Sequence, residues 1–271
     1  MELRVYRNLW GTSGSWRDVF TRLDAEGYDG AEIWTPSEVE KSDFIGAAWP
    51  AGFEAVPILW LQDSSPEEQL THFDREWSFW DSRDVRLVNL IVGSDRWPLA
   101  RTLGFIEKIL KRVEGRSPTF SFEIHRSASL FHPSVLDAVL AAFPDIPLTL
   151  DLSHFVLVSE RLVDPDTDAL GRWAENCVHL HTRVGTEETP QVADPRHPES
   201  AAYLDAFERW WDMVWSAQRR RGLTVSSLTP EYGGDPYLPR LPVARTPLCD
   251  LDELCAWQAA RHRSRFGLST P

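Results

Sequence analysis

Two rhythms of apolar and polar residues take turns along this chain. In short runs apolar and polar side chains alternate, or apolar ones dominate. In the longer stretches between them apolar residues return every three to four positions. A period of two marks a strand with one buried face, and a period near 3.6 marks an amphipathic helix. The strand-like runs are 3–9, 30–34, 53–59, 86–92, 119–125, 147–153, 178–183 and 223–231. The helical pattern covers 16–26, 66–81, 99–114, 133–142, 201–221 and 251–265. Ser65-Pro66 and His132-Pro133 stand where helices start. Gly27, Gly115 and Gly222 stand where helices stop. Strands alternating with helices imply parallel pairing through crossovers. Eight such units in 271 residues predict an α/β protein, a single (β/α)8 TIM barrel spanning 1–271. The competing open, doubly wound sheet advertises a glycine-rich turn after its first strand, and 8–14 (NLWGTSG) is too irregular for one.

A barrel turns one side of each strand inward, and four runs carry chemistry on that side. Strand five places Phe120, Phe122 and Ile124 on one side and Ser121, Glu123 and His125 on the other. Strand six carries Thr149, Asp151 and Ser153 on its polar side, and strand seven His179, His181 and Arg183. Strand eight ends with Ser227, Thr229 and Glu231 together. The apolar sets cover the outer face, so the polar sets look inward near the C-terminal ends, where this architecture builds active sites. Carboxylates crowded there repel and are poorly solvated. The three lysines, Lys41, Lys108 and Lys111, fall in other segments, and Arg183 alone is one charge against three. A divalent cation held by Glu123, Asp151, His181 and Glu231 resolves the conflict. Three oxygens and one imidazole suit Mn²⁺, Mg²⁺ or Co²⁺, with Zn²⁺ also possible. His181 is preferred to His179 because it lies one pleat nearer the strand end. His125, Arg126 and His132 follow strand five and read equally well as solvated loop residues.

The phrases FEIHR (122–126), DLSH (151–154), HLHTRVG (179–185) and TPEYG (229–233), with YDGAEIW (28–34) earlier in the chain, resemble the xylose-isomerase-like barrels of the sugar phosphate isomerase/epimerase superfamily. The resemblance implies the same four metal ligands and adds His154 as a substrate-oxygen contact. Alternation alone puts His154 opposite Asp151, so strand six must end and turn before it. The strand-seven histidine of that family is often followed by x-x-Asp. Here Thr182-Arg183-Val184 follows, so Arg183, or Arg196 beyond it, is the expected substrate anchor. The implied activity is a metal-dependent sugar or polyol isomerase or epimerase with a metal-stabilised enediolate and Glu123 and Glu231 as the acid–base pair. A dehydratase or lyase using the same ligands, a DNA-repair endonuclease of the related barrels, and a barrel that only binds a sugar are the alternatives.

Thirteen tryptophans are many for this length. Trp10, Trp34 and Trp60 fall at strand ends on the expected active-site rim, where ring faces would stack on a sugar. The aromatic stretch 207–215 has helical spacing and reads as core first and as a partner surface, such as a homodimer contact, second. The patternless segment 186–200 follows strand seven and is a candidate lid. Gly233-Gly234 is a weak candidate for amides offered to an anion. Forty-one acidic residues against twenty-eight basic ones give a net charge of −13, which disfavours nucleic-acid binding. No apolar stretch approaches the roughly 20 residues of a membrane span, so no membrane association is expected. Cys177, Cys249 and Cys255 form no C-x-x-C pair and the N-terminus carries no apolar signal core, so a reduced, cytoplasmic setting is expected.

Overall fold

The computed structural model describes residues 1–62 and 65–268. Its strands are β1 (Glu2–Asn8), β2 (Gly30–Trp34), β3 (Glu54–Trp60), β4 (Leu87–Ile91), β5 (Thr119–Glu123), β6 (Leu148–Leu150), β7 (Cys177–His181) and β8 (Val225–Thr229). They pair in chain order, and parallel pairing of Glu2 with Val225 and of Val5 with Leu228 closes the cylinder. Between them run α1 (Trp16–Ala25), α2 (Lys41–Gly46), α3 (Pro66–Trp80), α4 (Leu99–Val113), α5 (Pro133–Ala142), α6 (Leu152–Ser159), α7 (Leu170–Asn176) and α8 (Ala201–Arg220). The last helix, α9, covers Leu251–Leu268. The (β/α)8 barrel expected from the alternation is the observed fold. No described helix is long and apolar enough to cross a membrane.

Local chemistry sets the helix ends. Ser65 accepts from the Glu68 N–H while the Glu68 carboxylate returns to the Ser65 N–H, with Pro66 at the first helical position of α3. Such a cap stabilises a helix by about 1 kcal/mol. Gly27 and Gly222 stop their helices with φ of +81° and +75°, which a side chain would strain. Three helices lie outside the predicted set. α2 and α7 are six and seven residues long, too short to display a period. α6 reads LSHFVLVS, apolar nearly throughout, so it shows no helical period, and its first two residues fall in the run that reads as strand six.

The outward strand residues Phe120, Phe122, Leu148, Leu150, Leu180 and Leu228, with Ile124 just beyond β5, pack on the helices in one continuous apolar layer. From α8, Trp210, Trp211 and Trp215 join it with at most 2% exposure, so the aromatic stretch is core. The barrel interior differs from layer to layer. Tyr6, Val56 and Leu87 form an apolar plug. Above it the lining is polar, and a buried polar lining holds only if its groups find partners. Ser121 Oγ lies 2.7 Å from Thr149 Oγ1, and His179 contacts Ser227 Oγ at 2.8 Å and Thr229 Oγ1 at 3.2 Å. This layer floors the site above it.

Candidate metal centre

Glu123 ends β5 and His181 ends β7, while Glu231 lies just beyond β8. β6 stops at Leu150, and Asp151 caps α6, accepting from the Ser153 N–H at 3.0 Å and the Ser153 hydroxyl at 2.6 Å. That cap turns the chain after Asp151 and so meets the condition for His154, whose Nε2 comes within 3.5 Å of Asp151 Oδ2. Four consecutive strands thus deliver Glu123, Asp151, His181 and Glu231 to one place, where their donor atoms all lie within 4.8 Å of one another. Glu123, Asp151 and His181 are buried; Glu231 keeps 12% of its side chain exposed.

The electrostatics of the cluster are those of crowded charge. Burial, with Glu231 and Asp151 nearby, pushes the Glu123 carboxyl up to about 7 although His181 opposes it. Burial likewise lifts Asp151 to about 6 against the pull of Arg183. Glu231 is driven the other way: burial raises it, but His181 and Arg183 together hold it well below the usual carboxylate range. His181, despite its burial, is raised by Glu231, Glu32 and Glu123. Arg183 pairs with Asp151 and approaches Glu231 at 3.4 Å, so one guanidinium faces two of the carboxylates.

Hydrogen bonding shows what Arg183 leaves unsatisfied. His181 Nδ1 lies 3.2 Å from Glu231 Oε2 and 3.7 Å from Glu123 Oε1, yet none of these three buried atoms has a hydrogen-bond partner among the described residues. The other ring nitrogen, Nε2, donates to Glu32 Oε1 at 2.9 Å. In the neutral form that a cation requires, with its proton on Nε2, the imidazole aims a lone pair from Nδ1 at two carboxylate oxygens. Three converging buried acceptors are the donor set of a divalent cation, so the residues present fit a metal ion. Glu32 also completes the carboxylate–imidazole pairing that commonly orients a metal-binding histidine.

Glu32 and its neighbour Asn89 escaped the sequence reading. Asn89 on β4 donates to Glu32 Oε1 at 3.2 Å and to Glu123 Oε2 at 2.5 Å, linking the two carboxylates. Both are fully buried. Each is the one polar residue in an otherwise apolar strand, GAEIW and LVNLI, and that interruption was the available signal. His179, by contrast, sits one layer down, neutral through burial.

Above the centre opens a cavity of 330 Å³, within the small-molecule range. Trp10, Trp34 and Trp60 line it, with the Trp34 and Trp60 rings stacked at 5.6 Å. His125, His154, Arg183 and Glu231 supply its polar wall, and Tyr237 adds another ring. Burial keeps both imidazoles neutral, holding His125 down to about 3 and His154 well below its ordinary value.

Three expectations are corrected. Arg196 does not reach the cavity: it pairs with Asp194 at 2.7 Å and Glu253 at 2.5 Å, which hold it at the start of α9. No residue of 186–200 lines the cavity either. That loop is clasped to the β8–α9 connection, because Gln191 exchanges two hydrogen bonds with the Gly233 backbone at 2.8 and 3.2 Å. The same clasp occupies the Gly233 amide, which is therefore not offered to an anion. Gly233 has a packing reason instead, since a Cβ there would lie 2.3 Å from the Trp10 ring.

The chain matches no protein-family model, and no curated protein matches it in sequence. Solved structures match its fold. A xylose isomerase-like TIM barrel protein from Mycobacterium smegmatis, in complex with magnesium, aligns with a TM-score of 0.67 at 12% identity, over 98% of this chain and 97% of that one. The 3-keto-D-glucoside 4-epimerase of E. coli aligns at 0.59 and 10% identity, over 97% and 100%. Endonuclease IV from Thermus thermophilus aligns at 0.57 and 16% identity, over 97% and 98%. The protein has the fold of the xylose isomerase-like TIM barrels. An epimerase and a nuclease share that fold, so the reaction must be argued from the site.

Proposed function

We propose that the protein is a divalent-metal-dependent isomerase or epimerase of a sugar or polyol. One observation carries the reading: Glu123 Oε1, His181 Nδ1 and Glu231 Oε2 converge, buried and without hydrogen-bond partners among the described residues, beneath a tryptophan-lined cavity. Glu123, Asp151, His181 and Glu231 would hold the ion, with Mn²⁺, Mg²⁺ or Co²⁺ favoured by the oxygen-rich set. A bound ion supplies Lewis acidity, which acidifies the carbon beside a carbonyl. The chain's own residues do the rest. Trp10, Trp34 and Trp60 offer ring faces to the C–H faces of a sugar and exclude water. Glu123 and Glu231 arrive from different strands, so one can take the carbon-bound proton and the other return it. Arg183 and His154 orient the substrate oxygens. The magnesium in the mycobacterial structure and the epimerase activity named for the E. coli protein support the reading.

The test begins with metal analysis of the purified protein. Protein stripped with EDTA and reloaded with Mn²⁺ is then incubated with ketoses and polyols in D₂O. The expected result is deuterium at a single carbon of an isomerised product, absent in Glu231→Gln. Loss of water from the substrate would replace the reading with a dehydratase or lyase. Binding without turnover across the panel would replace it with a sugar-binding barrel.

A further inference from the structure

Beside the metal centre, Glu123, His125 and His154 bring ligand-type atoms within 4.8 Å of one another, which on distance alone suggests a second cation. The hydrogen bonds give this corner the opposite polarity. The Ser127 backbone N–H donates to His125 Nδ1 at 3.3 Å, so Nδ1 holds the lone pair and the ring proton is on Nε2. At His154 an arginine faces each ring nitrogen: Arg126 Nη1 lies 3.1 Å from Nδ1 and Arg183 Nη2 lies 3.2 Å from Nε2. A guanidinium cannot accept, so whichever nitrogen of the neutral ring carries the proton faces a donor. Asp151 Oδ2, 3.5 Å from His154 Nε2, is already engaged by Arg183.

Arg126 stands behind this wall. Its Nη2 donates to the Tyr237 hydroxyl, and its guanidinium lies over the Tyr237 ring at 5.0 Å, with Arg183 at 5.4 Å. Among the described residues Arg126 forms no ion pair with a carboxylate, whereas Arg183 is held by Asp151 and Glu231. Three donor groups, His125, His154 and Arg183, line the cavity beside the Glu231 carboxylate, and Arg126 stands behind His154 and Tyr237 with one positive charge that no carboxylate among the described residues pairs. Such a wall repels a second metal ion and favours an anion with in-plane acceptor oxygens. One free charge matches a monoanion better than a phosphate dianion. No lysine adds to it, since Lys41, Lys108 and Lys111 are paired with Glu38, Glu67 and Glu107 at the surface.

We propose that His125, His154 and Arg183, backed by the charge of Arg126, form a carboxylate-binding subsite, so that the substrate is a sugar acid or other polyhydroxy acid. The proposal rests on the sugar or polyol reading above and narrows it.

Calorimetric titration of EDTA-treated and of Mn²⁺-loaded protein tests it. The titrants are D-gluconate against D-glucitol, D-glucuronate against D-glucose, and glucose 6-phosphate. Each acid is expected to bind at least about tenfold more tightly than its neutral partner. Arg126→Gln should erase that preference and Arg126→Lys should restore part of it, with all three proteins binding one Mn²⁺ per chain and melting alike. Equal binding of acids and neutral partners, or a preference unchanged in Arg126→Gln, overturns the subsite and leaves the sugar reading standing. Tighter binding of the phosphate ester overturns it as well. So does a second Mn²⁺ that is lost in His125→Ala or His154→Ala. Failure of every titrant on protein carrying one Mn²⁺ removes the subsite and the sugar reading together.

Discussion

Glu32→Gln probes the proposed metal centre from behind. Glu32 Oε1 accepts from His181 Nε2 at 2.9 Å and from Asn89 Nδ2 at 3.2 Å. Glutamine keeps the size and an acceptor oxygen, so both contacts can persist; the negative charge is what goes. A hydrogen bond to a charged partner contributes about 1.5–3 kcal/mol and a neutral one about 1 kcal/mol. The variant should therefore forfeit about 1–2 kcal/mol of support for His181 as a ligand, close to a tenfold loss of metal affinity. Stability should move differently. Glu32 is fully buried and its Oε2 has no partner among the described residues, so removing the charge should leave the metal-free protein melting no lower than wild type. Calorimetric titration of EDTA-stripped protein with Mn²⁺, beside thermal melts of the same samples, reads both quantities. A Kd within twofold of wild type together with a lowered melting temperature would make Glu32 a packing residue and refute the reasoning.

Glu231→Gln should abolish turnover while far-UV circular dichroism and melting stay near wild type, because that side chain opens to the cavity; retained activity would exclude it from the acid–base pair. Saturation with Mn²⁺ at 100 times its Kd should stabilise the fold by about 2.7 kcal/mol, seen as a drop in melting temperature when EDTA is added. His262 supplies a pH dependence remote from the site. Burial beneath Trp211 and Trp215, with Arg265 and Arg261 nearby, holds its imidazole down to about 3. Between pH 6.5 and 3 the unfolded chain binds a proton that the folded chain refuses, so stability falls as pH falls. The loss from this group is about 2 kcal/mol between pH 8 and pH 5. Urea unfolding of wild type and His262→Leu at both pH values isolates it; equal pH dependence in the two proteins would refute it. Trp215→Ala should cost about 3–5 kcal/mol in the same assay, since its whole ring is core.

The barrel could be read from the chain because its causes are local. Alternation over five residues, as in TFSFE, states which side of a strand meets helices, and Ser65-Pro66 or Gly222 states where a helix begins or ends. Counting eight strand–helix units then leaves few ways to bury their apolar faces. Glu123, Asp151, His181 and Glu231 were identifiable on the same basis, as inward positions at the ends of consecutive strands. His154 was placed by resemblance, and the Asp151 cap supplies the turn that its position needs.

What stayed hidden depends on contacts between residues far apart in sequence. The Glu32–His181 hydrogen bond spans 149 residues and the Arg126–Tyr237 bond 111, and no local period encodes either. Whether a given arginine faces substrate or solvent is set by competition among partners. Arg183 is captured by Asp151 inside the barrel, while Arg196, equally plausible in sequence, is captured by Glu253 outside it. Periodicity assigns a side chain to a face of its own strand. Closure of the sheet brings that face against strands from the other side of the barrel, and only there does it emerge which lone pairs and protons meet and which are left without a partner.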